Sequence, residues 1–105
     1  MLQGVDDLEA ASALLRALAS PHRLAIVRAL ADGPRCVHEL VEALGVSQPL
    51  VSQHLRVLRA EDLVTGERRG REIAYALADH HVTHIVEDAV AHVREVPALP
   101  EERSA

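Results

Sequence analysis

The sequence predicts a mainly α-helical domain that carries one small β-hairpin. Three observations predict it. Five segments repeat apolar residues at helical spacing. Serine–proline and glycine signals punctuate those segments. Two β-prone runs flank one arginine-rich turn, Arg68-Arg69-Gly70-Arg71.

The first helix is expected from Asp6 to Ala19, with Leu8, Ala11, Leu14, Leu15 and Leu18 on one stripe. Ser20-Pro21 supplies an N-cap and a first-turn proline for a second helix. That helix runs through Leu24, Ile26, Val27 and Leu30 and stops at Asp32-Gly33-Pro34. A short third helix spans Cys36 to Leu44 and ends at Gly45, which suits a left-handed cap. Ser47 caps a fourth, which ends near Glu61 and carries Leu50, Val51, Leu55 and Leu58 on its apolar side. The hairpin strands are expected at Leu63–Glu67 and Glu72–Leu77. Asp79 caps a last helix that reaches Glu95 and is stopped by Pro97. Residues 1–96 thus read as a single domain, and 97–105 as a disordered tail.

Composition limits what such a chain does. At 105 residues it has room for one ordinary domain. Its hydrophobic fraction of 49% builds a core, yet it has no Phe or Trp, and Tyr75 is its one aromatic residue. A short chain with an aliphatic core buries limited area, so a dimer is expected on this ground alone. No apolar run approaches the ~20 residues of a membrane span, and the N-terminus lacks the pattern of a signal peptide. With Cys36 as the single cysteine, no internal disulfide forms, and a cytoplasmic location fits best.

The net charge of −5 argues at first against nucleic acid, but its distribution argues for it. Residues 46–78 are net positive, with Arg56, Arg59, Arg68, Arg69 and Arg71, whereas 79–105 are net negative and mixed with histidine. A short helix, a glycine turn and a Ser-capped helix form the helix-turn-helix pattern, whose second helix enters the major groove. Its outward face carries Ser47, Gln48, Ser52, Gln53 and Arg56, groups that meet base edges and phosphates. The hairpin adds Arg68, Arg69 and Arg71 at its tip, in the manner of a wing on a phosphate backbone or minor groove. Taken singly, the helix pair also reads as a solvated helical hairpin, and the arginines as edge protection for a strand. Together they read as a winged helix-turn-helix.

Three stretches carry a family resemblance: Ala19-Ser20-Pro21-His22-Arg23-Leu24-Ala25-Ile26-Val27, Ser47-Gln48-Pro49-Leu50-Val51-Ser52-Gln53-His54-Leu55 and Arg69-Gly70-Arg71-Glu72-Ile73-Ala74-Tyr75. From about Leu8 to Glu95 the chain resembles the ArsR/SmtB family of bacterial repressors. The resemblance implies a homodimer that binds a palindromic operator in double-stranded DNA and is released by its metal. By matched position it also implies that Gln48, Pro49, Ser52 and Gln53 face the bases.

The last helix holds Asp79, His81, His92 and Glu95. His81 and His92 lie about three turns apart on nearly one face, but roughly 16 Å apart along the axis. Zinc ligands must all sit within about 2.0–2.2 Å of one ion, so one helix cannot gather all four. Two antiparallel copies across a dimer dyad can, with Asp79 and His81 of one meeting His92 and Glu95 of the other. Two imidazoles and two carboxylates suit Zn(II). The spacing also matches the last-helix site of the zinc-responsive members of the resembled family.

Alternatives remain open at this stage. His84 lies near the same face and suits a Ni(II) or Co(II) site with more ligands. Cys36 and His38 read as a small apolar residue and a surface imidazole, with a second metal site as the other reading. His22 and His54 read as structural or DNA-adjacent. A winged-helix repressor with a non-metal effector is a further alternative, as is an interaction module without DNA binding. An enzyme is not expected: four ligands close the zinc shell, and no nucleophile–base pair stands beside them.

Overall fold

The computed structural model describes residues 2–95. The expected stop at Pro97, the domain limit at 96 and the tail 97–105 lie outside the described residues. Along the chain run α1 (Leu2–Leu18), α2 (Pro21–Leu30), β1 (Arg35–Cys36), α3 (Val37–Leu44), α4 (Gln48–Ala60), β2 (Val64–Arg69), β3 (Glu72–Leu77) and α5 (His80–Glu95).

Local signals set most helix ends. The extended Ser20 accepts the Arg23 backbone N–H on its hydroxyl, and Pro21 starts α2. Gly45, with φ +70°, closes α3 in the left-handed region and donates its N–H to the Val41 carbonyl at 2.8 Å. Ser47 caps α4 by accepting from the Leu50 N–H. Asp79 Oδ1 accepts from the His81 N–H at 2.9 Å and the Val82 N–H at 3.4 Å, which starts α5.

The α4–β2 corner uses a device that the sequence hides. Asp62 takes φ +57°, a left-handed conformation usually given to glycine. Its N–H bonds the Arg59 carbonyl at 3.0 Å, and the next N–H, of Leu63, bonds the Leu58 carbonyl at 3.0 Å. This double closure is a Schellman motif, sealed by the fully buried pair Leu58 and Leu63. Asp tolerates this region better than most L-residues, so the corner forms without glycine.

Three strands pair in the order β1-β3-β2, all antiparallel. β1 was not expected. It has only two residues, too few for any alternation to appear, and it forms because Arg35 and Cys36 pair with Tyr75 and Ala74. The hairpin differs from expectation as well. β2 continues through Arg69, which pairs with Glu72, so the turn is only Gly70-Arg71. Gly70 has φ +63°, as the first residue of a two-residue hairpin loop requires. Arg68 and Arg69 therefore project from opposite faces of a strand, and only Arg71 sits in the turn.

Ile26, Leu40, Val51, Leu55, Leu58, Leu63, Val82 and Val86 form the heart of one apolar cluster shared by α2, α3, α4, α5 and the α4–β2 corner. It fixes α4 against the rest of the domain. Gly66 ties in the base of the wing. It pairs with Tyr75, and a Cβ placed there would lie 3.1 Å from Arg59 Nη1, 3.1 Å from Ile73 Cγ2 and 3.2 Å from Tyr75 Cε1. The missing side chain is the seat for Arg59 at the end of α4. Gly66→Val is expected to destabilise by about 1–3 kcal/mol through overpacking. A thermal melt equal to wild type would show that Arg59 and Tyr75 give way freely.

Candidate nucleic-acid interface and metal centre

The amphipathic pattern of α4 divides its residues cleanly. Val51, Leu55 and Leu58 are buried, while Gln48, Pro49, Gln53 and Arg56 are exposed and Ser52 is half-buried. Ser47 is exposed at the helix start, where it also serves as the cap. Between α4 and the wing lies an open cleft of about 370 Å³, lined by Val37, His38, Gln48, Ser52, Arg71, Glu72, Ile73 and Tyr75. Tertiary packing thus brings two residues of the helix face and one wing arginine onto a single concave surface. Arg68 and Arg69 extend the exposed wing beyond it, with Arg68 Nη1 donating to the Gly70 carbonyl at 3.3 Å.

The sequence did not reveal one exposed contact in the lining of this cleft. His38 Nδ1 lies 2.7 Å from Glu72 Oε1, joining α3 to the wing strand β3. The contact places a carboxylate beside the wing arginines and gives it a partner. Nearby, the Cys36 backbone N–H donates to Glu39 Oε1 at 2.8 Å, which satisfies the start of α3. Partial burial, then the carboxylates of Glu72 and Glu39, push the Cys36 thiol up. A protonated thiol is a weak nucleophile and a weak ligand.

The last helix, α5, buries Val82 and Val86 and exposes its polar edge. Asp79, His81, His92 and Glu95 are all exposed. One oxygen of Asp79 is engaged in capping, which orients the carboxylate at the helix start. Among the described residues no group of three or more His, Cys, Asp or Glu in the single chain could hold a metal. Asp79 and His81 sit at the start of α5 and His92 and Glu95 at its end. The imidazoles of His80, His81 and His84 crowd the first turn, with ring centroids 4.5 Å apart for His80–His81 and 5.6 Å for His80–His84.

Two helices also carry uncovered apolar side chains. On α1, Leu8 is 70% exposed and Leu15 53%; on α5, Val93 is 70% exposed and Ile85 37%. A nearly apolar groove of about 270 Å³, lined by Leu24, Ala89, Val90, Val93 and Arg94, continues the α5 face. No helix among the described residues is long and apolar enough to cross a membrane.

A trihelical core with a helix-turn-helix, a three-stranded wing and an appended last helix defines the winged helix-turn-helix class of DNA-binding regulators. Residues 20–65 match the family described as bacterial regulatory protein, arsR family. The chain belongs to that family. It is 66% identical over 88 residues to the HTH-type transcriptional repressor SmtB of Mycobacterium tuberculosis, spanning 84% of this chain and 65% of that protein. It is 49% identical over 78 residues to the regulator NmtR of the same organism, covering 74% of this chain and 65% of NmtR. A transcriptional repressor SmtB homolog of Synechocystis is 37% identical over 94 residues, covering 90% of this chain and 71% of that protein. The chain thus spans about 65% of the length of the two mycobacterial relatives. These relatives are regulators of transcription.

Solved structures agree in fold. Reduced HlyU from Vibrio cholerae superposes with a TM-score of 0.77 at 30% identity, covering 92% of this chain and 100% of that one. A homodimeric winged helix-turn-helix DNA-binding domain from Mycobacterium bovis gives 0.80 at 27% identity, covering 89% and 86%.

Proposed function

We propose that the chain is a homodimeric repressor that binds operator DNA and is released when Zn(II) binds at two sites shared by the paired α5 helices. The observation that carries this reading is the division of α5. One stripe is buried in the core, one apolar stripe is uncovered, and the ligand pairs Asp79/His81 and His92/Glu95 stand at opposite ends. Burying Leu8, Leu15, Ile85 and Val93 against a second copy removes apolar surface from water, at about 25 cal/mol per Å². Antiparallel pairing in that interface carries each ligand pair toward its complement. The M. bovis domain, described as homodimeric, and the repressors among the relatives support the reading.

DNA contact is assigned to Ser47, Gln48, Pro49, Ser52, Gln53 and Arg56 in the major groove and to Arg68, Arg69 and Arg71 along the backbone. The two recognition helices of a dimer must sit about 34–36 Å apart, or a multiple, to enter successive grooves. Asp79 and His81 of one chain, with the partner's His92 and the partner's Glu95, would hold the ion, which would link the two protomers through these side chains. Held in this way, the α5 pair would be fixed in one orientation. If that orientation suits the operator less, affinity falls by a coupling energy of about 1–3 kcal/mol. The protein acts in the cytoplasm, where the operator lies.

Fluorescence anisotropy on operator DNA, with and without zinc, tests the reading alongside a zinc titration of the free protein. The expected result is one zinc per chain and weaker DNA binding at saturation. Operator affinity unchanged by saturating zinc would sink the sensor. The cluster of His80 and His84 beside His81 favours a second reading, a Ni(II) or Co(II) sensor with more than four ligands. Octahedral spectra with cobalt, in place of tetrahedral ones, would select it.

A further inference from the structure

Arg23 is placed where three helices meet. It stands in the first turn of α2, and its Nε donates to the Ala17 carbonyl at the end of α1. Its Nη1 lies 3.2 Å from Nδ1 of His54, in the middle of α4. His54 Nε2 is buried with no hydrogen-bond partner among the described residues, and the His22 ring lies 5.4 Å from the His54 ring. The polar contact of α2 with the recognition helix therefore passes through one guanidinium–imidazole pair, 31 residues apart in sequence.

Donor chemistry sets the state of that pair. A guanidinium has only donors, so the atom facing it must accept. Nδ1 of His54 accepts only when it carries no proton, which leaves the neutral ring protonated at Nε2. A proton on Nδ1 would point N–H at N–H. In the doubly protonated ring it would also set two positive charges side by side and leave both ring donors without acceptors in a partly buried place.

We propose that Arg23 and His54 are positioning residues for DNA recognition, and that His54 holds the recognition helix only as the neutral, Nε2-protonated imidazole. Because Arg23 also grips the end of α1, the pair ties α4 to one of the two helices assigned above to the dimer interface. It thereby fixes the recognition helix relative to the dimer axis, the quantity an operator reads. This consequence rests on the proposed DNA-binding reading; the protonation state of His54 does not.

The charged and titratable groups that face His54 are Arg23 and His22, both from α2. Burial first, then Arg23, then His22, hold its imidazole below the usual value of 6.5. The sign follows. The neutral ring is favoured in the folded chain, so its contribution is complete above the unfolded value of 6.5. It is lost as the pH falls through the lower folded value. His54→Asn keeps an acceptor near the Nδ1 position and cannot titrate, so it separates the bond from the protonation.

Two measurements on the full metal-free chain test this. Long-range nitrogen–proton NMR at pH 7.5 is expected to find His54 protonated at Nε2 and bare at Nδ1; a proton on Nδ1 overturns the proposal. Operator anisotropy in chelator is then followed from pH 7.5 downward, through the protonation of His54 read by the same NMR, for wild type and His54→Asn. As the ring takes up its second proton, wild type is expected to lose about tenfold in affinity relative to His54→Asn, of the order of one hydrogen bond to a charged group. Parallel pH profiles for the two proteins overturn it. A wild type that binds no operator at any pH, yet has the expected tautomer, overturns the DNA reading and leaves the His54 state intact.

Discussion

Replacing His81 or His92 with alanine is expected to abolish the zinc response while leaving operator binding by the metal-free protein within about threefold of wild type. Both residues are exposed on α5, so their removal opens no cavity and strands no buried partner. Surface changes of this kind usually stay within about 0.5 kcal/mol. The response itself is worth about 1–3 kcal/mol, or roughly 5- to 150-fold in affinity, and it should vanish entirely in either variant. Mixing sharpens the test. A chain carrying Asp79→Ala and His81→Ala should bind no zinc alone, nor should one carrying His92→Ala and Glu95→Ala. A heterodimer of the two holds one intact site and one site with no ligands, so it should bind one zinc. A heterodimer that binds no zinc would mean that the ligands come from a single chain, and loss of metal-free DNA binding would give these histidines to the fold.

Leu58→Ala is expected to destabilise the domain severely. Leu58 is 0% exposed, and its carbonyl and side chain both serve the corner that passes from α4 into β2. Truncating a buried leucine costs about 2–5 kcal/mol, according to how far the site collapses. For a domain of this size each kcal/mol moves the midpoint by about 4–8 °C, so Tm should fall by roughly 8–40 °C. Because a dimer's midpoint depends on protein concentration, variant and wild type are compared at equal concentration. A loss below about 1 kcal/mol in urea melts would place Leu58 outside the core.

Much of the domain was legible because its signals are local. Ser20-Pro21, Gly45 and Ser47 act through their own backbone geometry and neighbours three or four residues away, so the helix ends they mark fell where expected. Helical apolar spacing identified Val51, Leu55 and Leu58 as the inner face of α4 and left Gln48, Gln53 and Arg56 outside. The first helix begins earlier than expected, at Leu2, since nothing before Asp6 supplies a breaker strong enough to stop it. The wing turn is shorter than its arginine-rich sequence suggests, because strand pairing, rather than arginine content, decides where β2 ends.

On the last helix, residue types and their spacing were enough to propose the ligands and to conclude that one helix cannot close a zinc shell. Bond lengths and the rise of a helix suffice for that. Tertiary structure decided what long separations conceal. His38 meets Glu72 across 34 residues, and Arg23 meets His54 across 31. Gly66 became a seat for Arg59, and two residues at Arg35–Cys36 became a strand only through β3. Such contacts depend on which surfaces the core brings together, a choice made by packing the whole chain and written in no single stretch of it.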